Sequence, residues 1–320
     1  GKWRVFGVKA TTLAELLEEA ASSLDDAARA LRTIKSTFTE QPTDTPALYP
    51  LEAGLAVRRD PLDLAELAAT LAGYWRGVTL GPKLPVGPVT IDLSTAEGRW
   101  HLLLLAVLRG ARVRDQVVQE TFASLVQQDL ARFDRFLRPD PQLKSLLLSV
   151  FTETYRALGS REAKIDALFA NAALLEREYG GDLHNVYLAT QGDGAALVRS
   201  LQRFKQIGRV AYWICRTLKA HGIWTDVDAE ATLYLDRTTD LPLRRLRLVG
   251  APDEERSGGA SLRFVDEYMA GDVIPLYLQG LVLCQQEDPG VCVAECPLAS
   301  RCPFPRKAND VVRNVDSVRF

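Results

Sequence analysis

Four of the five cysteines, Cys284, Cys292, Cys296 and Cys302, fall within the run CQQEDPGVCVAECPLASRC, spaced C-x7-C-x3-C-x5-C. Thiolates this close together on a backbone broken by Pro and Gly can converge on one soft metal centre. A set of four suits either an iron–sulfur cluster or a structural zinc, and spacing alone does not choose between them. Disulfides are the competing use, and they belong to oxidising compartments. The amino-terminal stretch GKWRVFGVKATTLAELLEEA is amphipathic and lacks the apolar core of a secretory signal. The expectation is therefore a cytoplasmic protein whose clustered cysteines bind metal. Cys215, in the apolar stretch AYWIC, reads as a packed core residue.

A second constellation is LVRSLQRFKQIGRVAYWICRTLKAHGIW, two apolar helical segments joined by a tight turn at KQIG. Gly in such a turn lets backbone N–H groups approach a phosphate at the start of the second helix, where the helix dipole favours an anion. From Gly194 to Trp224 the charged residues are Arg199, Arg203, Lys205, Arg209, Arg216 and Lys219, with no acid among them. That local excess reads as a phosphate footprint. The competing reading is a solvated helical face beside an ordinary helix–helix turn.

The elements that must position these residues are helices. A chain of 320 residues, 47% hydrophobic, can bury one large core or two smaller ones. LLLLAVL at 102–108 is too short to span a membrane and is bounded by His101 and Arg109, so no membrane partner is expected. A net charge of −2 decides nothing about nucleic acid. TTLAELLEEAASSLDDAARALRTIKSTF has helical spacing, with Thr11 or Thr12 as N-cap, and the Pro-rich EQPTDTPALYP ends it. DPLDLAELAATLAGYW follows as a second helix with Pro61 near its first turn. GVTLGPKLPVGPVTIDLS reads as a linker or surface loop with one short strand at VTIDL. From Thr95 to about His221 the pattern is helix after helix, broken at RPDP, LGSRE, YGGD and QGDG. The three histidines are scattered and suggest no metal site.

Taken together, the hairpin and the cysteine loop resemble the endonuclease III superfamily of DNA glycosylases, the helix-hairpin-helix Gly/Pro/Asp group with a [4Fe–4S] cluster. The likeness runs from about Thr95 to Pro305. RWHLLLLAVLRGARVRDQVVQETFASL looks like the family's early helix pair, and LGSREAKIDALFANAALLEREYGGDL like its middle turn and the helix after it. FKQIGRVAYWI occupies the place of the hairpin signature, WTDVDAEATLYLDR that of the catalytic-aspartate segment, and VIPLYLQGLVLC leads into the cluster loop. The resemblance implies an all-α, two-lobed helix-hairpin-helix DNA glycosylase fold. A helical extension and linker would span 1–92, a helical barrel lobe 93–222, and an aspartate and cluster lobe 223–320. The cluster lobe would also draw on amino-terminal residues.

Carried over residue by residue, Asp228 falls at the catalytic carboxylate; its other use is as the N-cap of the helix it precedes. Bifunctional members place a lysine where this chain has Val210, so base removal without a lyase step is implied. Lys205, Gln206, Gly208 and Arg209 fall at the phosphate-binding turn, and Arg112 where the family inserts a side chain into DNA. Cys284, Cys292, Cys296 and Cys302 would hold a [4Fe–4S] cluster, zinc being the alternative, and Arg301, Arg306 and Lys307 would approach phosphates. The partner implied is double-stranded DNA bound by a monomer, nucleoid-associated when engaged.

The chain also departs from the family. Gln206 replaces the first hairpin glycine, Glu230 stands where His is frequent, and two cluster spacings are one residue longer than usual. Ala106 replaces the glutamate of the adenine-mispair branch, and the oxidised-pyrimidine branch usually carries the lysine that Val210 replaces. A deaminated, alkylated or otherwise modified base remains, with Tyr212 and Trp213 available to stack or to pack. The rival reading is a catalytically inactive helix-hairpin-helix protein that recognises DNA structure or modification.

Overall fold

The computed structural model describes residues 63–109, 113–138, 140–155, 161–248, 257–285, 292 and 294–303. All of them belong to the unit Leu62–Phe320. The expected first helix with its Thr11 or Thr12 cap, Pro61, and the DNA-contact candidates Arg112, Arg306 and Lys307 lie outside the described residues.

Helices account for most of what is described, in keeping with an all-α chain. The first, α1 (Leu64–Tyr74), starts where the Asp63 carboxylate accepts from the N–H groups of Ala65 and Glu66. The segment expected to hold one strand forms a two-stranded antiparallel hairpin instead, β1 (Lys83–Val86) and β2 (Val89–Asp92). The missed strand, KLPV, is short and carries a proline, which hides its pattern. Gly87, at φ +56°, opens the two-residue turn, as the twist of a tight hairpin requires.

Helix α2 (Ala96–Leu108) is buried on nearly every side and is the centre of the first core. Thr95 caps it through the Gly98 N–H. Gly98 is required there, because an added Cβ would stand 1.8 Å from the Asp92 carbonyl oxygen. Around α2 pack α3 (Asp115–Gln127), α4 (Phe133–Phe136), α5 (Pro141–Thr154), α6 (Arg161–Tyr179) and α7 (His184–Thr190). The hairpin helices α8 (Gly194–Gln202) and α9 (Val210–Ala220) and the single turn α10 (Ala229–Thr232) complete this core. Each fully buried Leu or Phe here contributes roughly 1.5–3 kcal/mol of transfer free energy.

A second core is built from distant parts of the chain. Leu67, Leu71 and Trp75 at the amino-terminal end meet α11 (Arg237–Arg245), α12 (Ser257–Tyr268) and α13 (Ile274–Leu278). Helix α13 runs directly into a π-helical turn, Gln279–Cys284, which ends on the first cysteine of the run. Gly280 lets this turn sit on α11, since a Cβ there would lie 1.9 Å from the Thr238 carbonyl oxygen.

Candidate functional site

Asp228 stands in extended backbone just before α10, and its carboxylate makes no cap bond to that helix. The N-cap use is thereby corrected: Oδ2 accepts instead from the Gly194 N–H, 3.0 Å away, at the start of α8. Carboxylates are well placed at a helix N-terminus, where backbone N–H groups and the helix dipole both face them. Gly194 makes the approach possible, for a Cβ there would lie 3.0 Å from the Asp228 Cβ and 2.9 Å from that of Ala231. The Asp228 side chain otherwise faces solvent.

At the other end of α8 the chain enters the hairpin turn. Phe204 and Ile207 are buried beneath it, while Lys205, Gln206, Gly208 and Arg209 are exposed on its crest. The turn is clamped from below by Asn171, whose Oδ1 accepts from the Lys205 N–H at 2.6 Å and whose Nδ2 donates to the Lys205 carbonyl at 3.0 Å. Gln206 takes φ +67° and Gly208 φ +42°, so the glutamine adopts the left-handed conformation that glycine would occupy more easily. Open space lies over Gly208, and among the described residues no acceptor takes the N–H of Gly208 or Arg209.

The six-cation footprint read from the sequence shrinks in the fold. Arg216 is fully buried and bonded to Asp236, so it is no surface charge. Arg203 pairs with Glu178 at 2.6 Å, and the Glu178 carboxyl is held below its ordinary range by the hydrogen bond from Arg177 first and by Arg203 as well. Lys219 donates to the Val227 carbonyl. Arg199, Lys205 and Arg209 remain as exposed cations, two of them on the turn itself.

The four cysteines converge on two other residues. Gln279 Nε2 lies 3.2 Å from Cys296 Sγ and 3.9 Å from Cys284 Sγ. Arg245 Nη1 lies 3.5 Å from Cys292 Sγ, and Cys302 Sγ lies 3.9 Å from the Arg245 carbonyl oxygen. Burial pushes the Cys284 thiol up to about 12, partly countered by Arg245, and raises Cys296 as well. As thiols Cys284 and Cys296 stay protonated, so metal ligation would have to displace their protons. Four neighbouring sulfurs, Cys284 and Cys292 buried and Cys296 and Cys302 half-buried, with N–H donors beside three of them, suit an iron–sulfur cluster. Among the described residues no three His, Cys, Asp or Glu side chains surround a single-ion position. Cys215 is fully buried in the first core, away from this group.

One feature of the fold went unread in the sequence. A cavity of about 470 Å³ opens where the two cores meet, beside the β-hairpin. Its wall holds Trp213 and Tyr277, each with a guanidinium over its ring: Arg109 at 4.3 Å and Arg216 at 4.1 Å. Arg109 also pairs with Asp115 at 3.2 Å. His221 lines the same wall, its Nδ1 2.6 Å from the Gly81 carbonyl oxygen. A carbonyl can only accept, so Nδ1 carries the proton, and burial lowers the His221 pKa and favours the neutral ring. Tyr212 is half-buried against the first core. An arginine among the apolar residues of α9, three positions after Trp213, was the available sequence signal for this wall.

No family model, curated protein or solved structure matches the chain.

Proposed function

We propose that the protein is a monofunctional DNA glycosylase, hydrolysing the N-glycosidic bond of a flipped damaged or modified base with Asp228. The observation that carries this reading is the arrangement on α8. A carboxylate is held at one end of a rigid helix, and an exposed turn with free N–H groups and two cations stands at the other. The first is the group that base removal needs, and the second is a surface for backbone phosphates.

In the reaction the C1′–N bond breaks with its electron pair leaving on the base, which takes up a proton. The sugar carbon becomes oxocarbenium-like, and the Asp228 carboxylate offsets its positive charge. Water adds to C1′ and loses its proton to the carboxylate or to solvent. Val210 carries no amine, so no covalent imine forms and the strand stays intact. Asp228 does not line the cavity between the cores, so the flipped nucleotide would meet its carboxylate on the exposed face beside α8. Cys284, Cys292, Cys296 and Cys302 would hold a [4Fe–4S] cluster. Such a cluster, when bound, supplies a rigid cross-link for the loop that carries Arg301.

The test is abasic-site formation in duplex DNA carrying mixed deaminated, oxidised and alkylated bases. Wild type should leave abasic sites without strand breaks, and Asp228→Asn should lose at least about 100-fold in rate while still binding DNA. The second reading is a DNA-binding protein that has lost catalysis, favoured by Gln206 in a left-handed position meant for glycine. DNA binding with no Asp228-dependent base release from any of these substrates would decide for it.

A further inference from the structure

Gln279 is fully buried, polar, and the first residue of the π-helical turn. Its side-chain orientation follows from chemistry. Trp75 Nε1 lies 2.9 Å from one end of the amide, and an indole N–H can only donate. That end must therefore be the oxygen, so the NH₂ end faces the sulfurs of Cys296 and Cys284 at 3.2 and 3.9 Å. Two donor hydrogens thus point at two of the four sulfurs. Arg245, in the last turn of α11, brings a guanidinium N–H to 3.5 Å from Cys292. Its carbonyl oxygen lies 3.9 Å from Cys302. Two side chains therefore bring N–H donors to three of the four cysteines, and the fourth, Cys302, lies against the Arg245 backbone.

Donors aimed at sulfur suit thiolates, which accept hydrogen bonds and carry charge, far better than they suit thiols. A buried, neutral-looking amide pinned by a tryptophan is also an expensive ornament for an apolar core, and Leu would fill the same space. The placement makes sense if the sulfurs are anionic ligands in the working protein.

We propose that Gln279 and Arg245 are positioning residues for the bound cluster, donating N–H···S bonds to its thiolates and raising its reduction potential. The inference rests on the iron–sulfur reading of the four cysteines and is independent of whether Asp228 is catalytic. Hydrogen bonds and positive charge beside the ligand sulfurs favour the more negative, reduced state of a cluster, which is the direction of a raised potential. Trp75 sits one step further out, fixing the amide that faces the sulfurs.

The experiment uses the full chain, purified without oxygen, as wild type, Gln279→Glu, Arg245→Gln and Arg245→Lys. Iron and acid-labile sulfide per chain, the reduction potential by voltammetry, and the rate of iron loss to a chelator are measured for each. Gln279→Glu keeps an acceptor for Trp75 but removes both donors. It and Arg245→Gln should shift the potential to more negative values and lose iron several-fold faster. Arg245→Lys, which keeps the charge, should lie between wild type and Arg245→Gln. Iron missing from Gln279→Glu alongside native circular dichroism also supports the proposal. Potentials and loss rates equal to wild type in both Gln279→Glu and Arg245→Gln would overturn it. Zinc in the wild type, or neither iron nor sulfide, would overturn the iron–sulfur reading itself and the proposal with it.

Discussion

Lys164 shows how single buried charges are managed in this chain. It is almost wholly buried, and its Nζ donates to the Val107 carbonyl and lies 3.4 Å from that of Arg109. These carbonyls end α2, where a cation is favoured by the helix dipole. Burial outweighs that, bringing the Lys164 pKa from 10.5 down to about 8. Between those two values the unfolded chain holds a proton that the folded chain has released. Stability should therefore rise with pH across that window. Tyr155, whose hydroxyl donates to the Leu108 carbonyl, acts in the opposite sense above its ordinary 10.0, because burial pushes it up to about 12. Urea unfolding of wild type and Lys164→Met at pH 8, 9 and 10 separates the two. The stability difference between them should grow in favour of wild type with pH, and a constant difference would refute the assignment.

At the scale of elements, α8 is the part on which the glycosylase reading depends. Gly194 is where the Asp228 carboxylate meets it, and a methyl group there has no room. Gly194→Ala should displace Asp228 and reduce base release by about 10- to 100-fold, since small misplacements of a reacting group are costly. Binding to undamaged duplex, read by anisotropy, should change little, because the crest of the turn is at the helix's other end. Equal losses of binding and base release would instead mean that α8 itself has been disturbed. Much of this element was legible beforehand: the apolar spacing on either side of KQIG marked two helices and a turn. The partner of Asp228 was not, because the pairing with Gly194 is between residues 34 apart and is made by a glycine N–H that no side-chain pattern announces. The same holds for the cysteine site. The sequence displays four sulfurs but not their neighbours, since Trp75 reaches Gln279 across 204 positions.

Taken whole, the chain is held at the meeting of its two cores by Arg216. The side chain leaves α9 and gives Nη1 to the Tyr234 carbonyl and Thr239 Oγ1, each at 2.6 Å, and Nη2 to Asp236 at 2.7 Å. Its guanidinium lies over Tyr277 of the second core. Asp236 is held below its usual range by this guanidinium despite its burial. Arg216→Ala leaves the Asp236 carboxylate without its counter-charge, with only Thr239 still bonded to it and to the Tyr234 carbonyl, and should cost about 3–5 kcal/mol in urea unfolding. A loss under about 1 kcal/mol would mean that the cores hold together without it. In the sequence Arg216 passes for one more cation of a basic stretch, because burial is a property of the neighbours and not of the residue. The cavity beside it was invisible for the same reason, its wall being assembled from both cores and the β-hairpin.

Helix α8 also acts as a spacer. Its nine residues set the Asp228 anchor and the start of the hairpin turn roughly 12 Å apart along the axis. Stacked base pairs rise about 3.4 Å each, so that length corresponds to three or four steps of duplex. On the glycosylase reading the enzyme grips its substrate at a fixed offset from the nucleotide it empties. A lesion closer than that to a nick or a blunt end would put the turn over missing backbone, and such lesions would be left for after ligation.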